Sequence, residues 1–239
     1  MKKTSVGLRK IFLSITVFLI IFLTSSVYYQ THSYTTSISK AEHFMNHGEY
    51  LKALPWLLDA YHRQPSDMFV ILSLIEVYED MDKENDLNDF LNKIWTNKII
   101  YKVIKPTDFR ALGYAYYRTS KYDEAEKFLT TYLKIDNDRG VSLSLAEIYA
   151  WQNKYDEAKD ILLAVIRQDQ SDFQSREFLA DIYQWNNEYG LAAEMYAQVV
   201  SQKPENEKVV FKLAEALRYS GKDRQAIEVY ENYLQKKTN

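Results

Sequence analysis

The chain has 239 residues, 46% hydrophobic and 26% charged, with a formal net charge of −3. Four basic residues (Lys2, Lys3, Arg9, Lys10) lie in the first 30 positions beside no acid. That leaves 26 of the 30 Lys+Arg against all 33 Asp+Glu in the body, which lacks the clustered basic charge that nucleic acid requires. Six Gly and four Pro supply little turn chemistry for a many-stranded β fold, and the absence of Cys excludes disulfides and thiolate metal sites.

Residues 1–10 form a basic n-region. Between Lys10 and Lys40 the chain carries no Asp, Glu, Lys or Arg, and Ile11–Leu23 is apolar except for Ser14 and Thr16. Such a segment enters a membrane, either as a signal peptide cut after Thr24–Ser26 or as an uncut anchor over residues 11–30. The anchor is the favoured reading. A span needs about 20 residues, Tyr28 and Tyr29 fall where an aromatic belt sits, and Ser suits a cleavage site less well than Ala. The expected topology is a single-pass membrane protein with a cytoplasmic N-terminus and an extracytoplasmic body, periplasmic or extracellular, which is secreted if the signal is cut.

Beyond residue 31 the sequence repeats. "LGYAYYRTSKYDEA" from Leu112, "LAEIYAWQNKYDEA" from Leu145, "LADIYQWNNEYGLA" from Leu179 and "LAEALRYSGKDRQA" from Leu213 stand 33 to 34 residues apart. In the second copy Leu145, Ala146 and Tyr149 share a helical face, "QNK" makes a polar turn, and Tyr155, Ala158, Leu162 and Val165 continue at spacings of three and four. Each copy is a helical hairpin that cannot bury its stripe alone, so hairpins must stack. Upstream, Ala41, Phe44, Gly48, Tyr50, Ala53, Leu57, Ala60 and Pro65 follow the same pattern, with Pro55 early in the second helix, where a missing donor costs least. The segment from Met68 is degenerate. It places Leu74, Tyr78, Leu87, Leu91 and Ile94 well, but "DKEND" lacks the usual small and aromatic turn residues. The next interval is longer by four, so "IWTNKIIYKVIKP" either extends a helix or bulges, and its apolar run Ile99–Ile104 is either core or a docking patch.

This pattern resembles the tetratricopeptide repeat family, a 34-residue helix pair with Leu, a small residue and Tyr in the first helix and Tyr, Ala, a bulky residue and Ala in the second. Pro closes each unit, as Pro204 does here. The last copy keeps Leu213, Ala214, Gly221, Ala226 and Tyr230. The resemblance implies an all-α solenoid of about six units, near 34–67, 68–105, 106–138, 139–172, 173–206 and 207–239; the apolar segment read above would precede it as an N-terminal transmembrane helix.

No phosphate loop, dinucleotide Gly motif or nucleophile elbow occurs, and no carboxylate pair is singled out as acid and base, so an enzyme is not expected. His43 and His47 have a zinc-compatible spacing, but "HFMNH" lacks the Glu of a zinc protease and implies no third ligand. No metal or cofactor is implied.

In the family the first helices line a concave binding face. Off the packing stripe, the chain places Trp151, Trp185 and Tyr219 there, with Glu147, Asp181 and Glu215 four residues before them. Tyr114 and Arg118 hold the matching places one unit earlier. Such a row suits an extended, repetitive or basic ligand, since aromatic faces stack on sugars and apolar groups and attract cations. Three readings stay open: wedges between first helices, a protein or peptide groove, and a polysaccharide track. Family sites that clamp a C-terminal carboxylate need Lys and Asn in this row, where acids stand instead. "AEIYAWQNKYDEA" and "ADIYQWNNEYGLA" also resemble the repeats of exported scaffolds of bacterial exopolysaccharide secretion. The expectation is therefore a non-catalytic scaffold for protein partners of a cell-envelope complex, or a protein that binds a carbohydrate polymer directly.

Overall fold

A computed structural model describes residues 3–96 and 104–238, which hold twelve α-helices and no strand. The chain forms two compact units, Met1–Asp108 and Phe109–Asn239. The apolar run at 99–104 lies outside the described residues except for Ile104.

The first unit contains α1 (Lys3–Met45), α2 (Tyr50–Arg63), α3 (Met68–Asp80) and α4 (Glu84–Thr96). α1 is one continuous helix of 43 residues, about 65 Å long at 1.5 Å per residue. Its apolar stretch therefore runs without a break into the first helix of the first hairpin. α2 packs antiparallel on it: Lys40 Nζ lies 3.9 Å from the Trp56 ring centroid, Ser37 Oγ donates to Asp59 at 2.5 Å, and the Tyr34 hydroxyl donates to Asp67. Ala41, Ala53, Leu57 and Ala60 are fully buried. Pro55 is the sixth residue of α2, not in its first turn. The four orphan donors of a helix start are thus already spent, and the ring deprives the Leu51 carbonyl of its in-helix donor. The cost is bearable because Leu51 is exposed and water can replace that donor. In the degenerate second hairpin the positions picked from sequence are core: Leu74, Tyr78, Leu87, Leu91 and Ile94 are all buried, and Phe90 adds ring contacts to Tyr61 and Tyr78.

The second unit stacks four hairpins: α5 (Asp108–Arg118) with α6 (Tyr122–Leu133), α7 (Arg139–Trp151) with α8 (Tyr155–Gln168), α9 (Phe173–Trp185) with α10 (Tyr189–Gln202), and α11 (Glu207–Tyr219) with α12 (Asp223–Thr238). Small residues sit where helices approach most closely. A Cβ built on Gly113 would come within 2.4 Å of Leu129 Cδ2, so a larger residue between α5 and α6 would force the Leu129 side chain to shift. Ala146 packs with Ala158, Leu162, Leu179 and Ile182, and one unit on Ala180 packs with Ala192, Tyr196, Leu213 and Ala214. Each cluster draws on helices from two successive hairpins, so a hairpin completes its core only against its neighbour.

Every hairpin turns the same way. Gly48, Asp82, Ser120, Asn153, Asn187 and Gly221 have φ between 51° and 78°. The next residue donates its backbone N–H five residues back, as from Lys154 to Tyr149 at 2.8 Å and from Glu188 to Tyr183 at 2.8 Å. That bond closes a Schellman turn, which requires one left-handed residue. Asn and Asp adopt that conformation more readily than other non-glycine residues, so Asp82 lets the degenerate hairpin turn as the others do. First and second helices begin differently. Asp67, Asp138, Asp172 and Asn206 cap α3, α7, α9 and α11 with side-chain oxygens, whereas α2, α6, α8 and α10 start directly from the tight turn with no side-chain cap.

Candidate functional site

The residues picked from sequence all lie on the first helices of the second unit, spaced by one hairpin. Trp151, Trp185 and Tyr219 end α7, α9 and α11 and are 52%, 51% and 51% exposed. Each rests one side on a neighbouring ring. Trp151 stacks on Tyr117 at 5.8 Å and leans on Tyr122 at 5.0 Å, both from the preceding hairpin, and Tyr219 stacks on Tyr189 at 5.0 Å. Trp185 meets Phe178 of its own helix edge-on at 6.3 Å. About half of each aromatic is left facing solvent.

The carboxylates of the row are engaged within the molecule. Glu147 accepts from the Tyr117 hydroxyl, and Glu215 accepts from Gln184 Nε2 at 3.3 Å. Tyr117 and Gln184 occupy matching places, one residue before the end of the preceding first helix. The residue at that place before Asp181 is Ala150, which has nothing to donate. Asp181 accepts instead from Lys212 Nζ of the following helix at 2.7 and 2.9 Å, and from the Tyr196 hydroxyl. Burial alone would lower the Lys212 pKa, but its bonds to Asp181 and Glu177 raise it above the ordinary lysine value. Burial first, then the Asp181 carboxylate, push the Tyr196 phenol well up. The acids therefore tie successive first helices together.

Tyr114 is partly buried, with the Arg110 guanidinium 5.1 Å from its ring, and Arg118 is exposed at the end of α5. The structure thus brings the aromatic row and its acids onto one face, and makes Tyr114 a packing residue more than a platform.

Sequence reasoning missed the groove between these helices. About 380 Å³ of space is lined by Leu143 and Glu147 of α7, Glu177, Phe178 and Asp181 of α9, and Lys208 of α11. The available signal was the position four before each row acid, one helical turn away, which reads Leu143, Glu177 and Phe211. A second set of ties flanks the groove at the helix starts. Asp172, the cap of α9, accepts from Arg139 Nη2 at 2.8 Å and from Ser175 N at 3.0 Å. The Arg139 bond, opposed by burial and joined by Ser175, holds its carboxyl far below the usual range.

Fold and site together define a helical-hairpin solenoid with a ligand-sized groove on its first-helix face. A family model described as the tetratricopeptide repeat protein 21 C-terminal ARM domain matches residues 136–239, and a tetratricopeptide repeat model matches 111–139. Taken together the two models cover residues 111–239, which are tetratricopeptide repeats. No curated protein matches it. Among solved structures it is similar to the C-terminal part of a TPR repeat-containing protein from Cytophaga hutchinsonii (17% identity, 82% of this chain and 77% of that one, TM-score 0.61). It is also similar to a tetratricopeptide repeat protein from Parabacteroides merdae (15%, 85% and 80%, 0.58). A third is YrrB, described as a TPR protein with an unusual peptide-binding site (13%, 75% and 91%, 0.56). At these identities the likeness is one of fold. The repeats mark a scaffold for protein–protein interaction.

Proposed function

We propose that this chain is a non-catalytic scaffold, anchored in a membrane by α1, that holds an extended, basic segment of a partner protein along the first-helix face of its second unit. The observation that carries this reading is the set of three half-exposed aromatics at equivalent points of α7, α9 and α11, beside a groove containing Glu147, Glu177 and Asp181. Pre-oriented rings offer apolar and cation–π contact at little entropic cost, and three carboxylates against Lys208 and Lys212 favour Lys or Arg from a ligand. Two features support the anchor. One helix, α1, is long and apolar enough to cross a membrane. Two of its hydroxyls are also satisfied within the helix, since Thr24 Oγ1 donates to Ile20 O at 2.9 Å and Ser25 Oγ to Ile21 O at 2.7 Å, as a lipid-facing helix requires. The basic n-region supports an envelope location, and a place in exopolysaccharide export rests on the two-repeat resemblance alone.

The test is recovery of partners with the full-length chain after mild detergent extraction. Trp151→Ala combined with Trp185→Ala should abolish recovery while far-UV circular dichroism stays unchanged, and rising salt should weaken recovery by screening. Normal recovery by the folded double variant would reject the face as the partner site. Retardation of the wild type in polysaccharide-loaded gels, lost in the same variant and indifferent to salt, would favour a neutral glycan. A reporter fused after Asn239 that is active only in the cytoplasm would overturn the topology.

A further inference from the structure

We propose that the α2–α3 corner, residues 62–69, rests in the lipid headgroup layer, so that the first hairpin is seated on the bilayer and does not merely hang from it. The inference rests on the reading of α1 as an anchor, and goes beyond it by naming a second surface that meets lipid.

The position follows from register. α1 is unbroken from its apolar stretch through the first hairpin, so distance from the membrane along it is a count of residues at 1.5 Å each. A 20-residue span beginning at Ile11 ends near Gln30, beside Tyr28 and Tyr29. α2 descends antiparallel along the same helix, its contacts pairing Trp56 with Lys40 and Asp59 with Ser37. Arg63, four residues past Asp59, therefore comes level with about Ser33. The chain then turns, and Asp67 is fixed at the level of Tyr34 by their hydrogen bond. Arg63 and Asp67 thus sit about 4.5 and 6 Å beyond the end of the span at 1.5 Å per residue. The headgroup layer is about 5 to 7 Å thick on each side of the hydrocarbon, so Arg63 and Asp67 fall inside it and Phe69 lies at its outer edge.

The chemistry of the corner suits that layer. His62 and Arg63 are exposed, and Arg63 binds Asp59 through Nε at 2.8 Å and Nη2 at 3.1 Å, which leaves its other N–H donors for phosphate. Phe69, in the first turn of α3, is an exposed large apolar residue, 45% accessible, next to the Asp67 cap. With Tyr28, Tyr29 and the exposed His32, these residues form a collar of aromatic and polar groups contributed by three helices, the composition found where protein meets the membrane–water boundary. The opposite end of α2, at Lys52, is about 16 Å higher along the helix and should meet water.

The chain has no cysteine, so single-cysteine variants report single positions. Full-length protein carrying Ile20→Cys, Gln64→Cys, Phe69→Cys or Lys52→Cys is labelled with an environment-sensitive fluorophore and placed in phosphatidylcholine nanodiscs. Nitroxide-labelled lipids are added, with the nitroxide in either the headgroup or the acyl chain. Labels at 64 and 69 should lose most of their emission to the headgroup nitroxide, the label at 20 should lose it to the acyl-chain nitroxide, and the label at 52 should keep it. Labels at 64 and 69 that match the label at 52 while 20 is quenched would overturn the seating and leave the anchor standing. A label at 20 that no lipid nitroxide quenches would overturn both. Thermal melts matching the wild type identify the variants that remain folded, and 64 and 69 serve as alternates for each other.

Discussion

Replacing Asp172 probes how successive hairpins are joined. Its side chain is almost fully buried, caps α9, receives the Ser175 hydroxyl at 2.6 Å and meets the guanidinium of Arg139, which is about half exposed. Asp172→Ala removes the cap, worth about 1 kcal/mol, and a partly exposed ion pair, worth up to about 1 kcal/mol. It also leaves the buried Ser175 hydroxyl without its acceptor, for about 1 kcal/mol more. The expected loss is about 3 kcal/mol in urea titrations followed by circular dichroism. Asp172→Asn keeps an oxygen for the cap and should lose only about 1 to 1.5 kcal/mol. The folded carboxyl is depressed, so its contribution is fully present above the unfolded value of about 3.9 and is lost as pH falls through the lower folded value. The gap between wild type and Asp172→Asn should therefore stay constant from neutral pH down to about 5 and close below about 4. Equal losses for Asp172→Ala and Asp172→Asn, or a gap that widens in acid, would refute this reasoning.

Three further expectations use the same titration. Ala180→Leu should cost about 1–3 kcal/mol by overpacking a fully buried contact between successive hairpins, while Glu157→Gln on the solvent face of α8 should change almost nothing. Equal effects would show the packing register to be wrong. Gly113→Ala should destabilise, because the added Cβ meets Leu129, whereas Gly190→Ala, with no atom within 4 Å, should stabilise by about 0.5 kcal/mol; the two shifts in midpoint must have opposite signs. Ser120→Gly should stabilise by roughly 1 kcal/mol, since Ser120 holds φ 58° without the help that Asn or Gly gives, and a loss of stability would mean that its side chain contributes more than the strain costs.

The repeat, its helix pairs and its small-residue contacts were legible in the sequence because a stacked hairpin solenoid is nearly one-dimensional. Each unit meets only its neighbours, so periodicity at 33 to 34 residues dictates which faces are buried, and Leu74, Tyr78, Leu87, Leu91 and Ile94 could be placed even in the degenerate hairpin. The aromatic row was legible for the same reason. What the acids of that row do was not, because it depends on which side chain the adjacent helix presents: Tyr117 reaches Glu147 and Gln184 reaches Glu215, while Ala150 offers nothing, so Asp181 turns to Lys212. Helix continuity was also beyond the sequence pattern. The drop in hydropathy near residue 30 reads as a boundary, yet no Pro or Gly interrupts the backbone there, and hydrogen bonding carries α1 through to Met45. Local periodicity fixes which face of each helix is buried. Only the tertiary structure decides which neighbour satisfies each polar group, because those bonds span about 30 residues and depend on the reach of individual side chains.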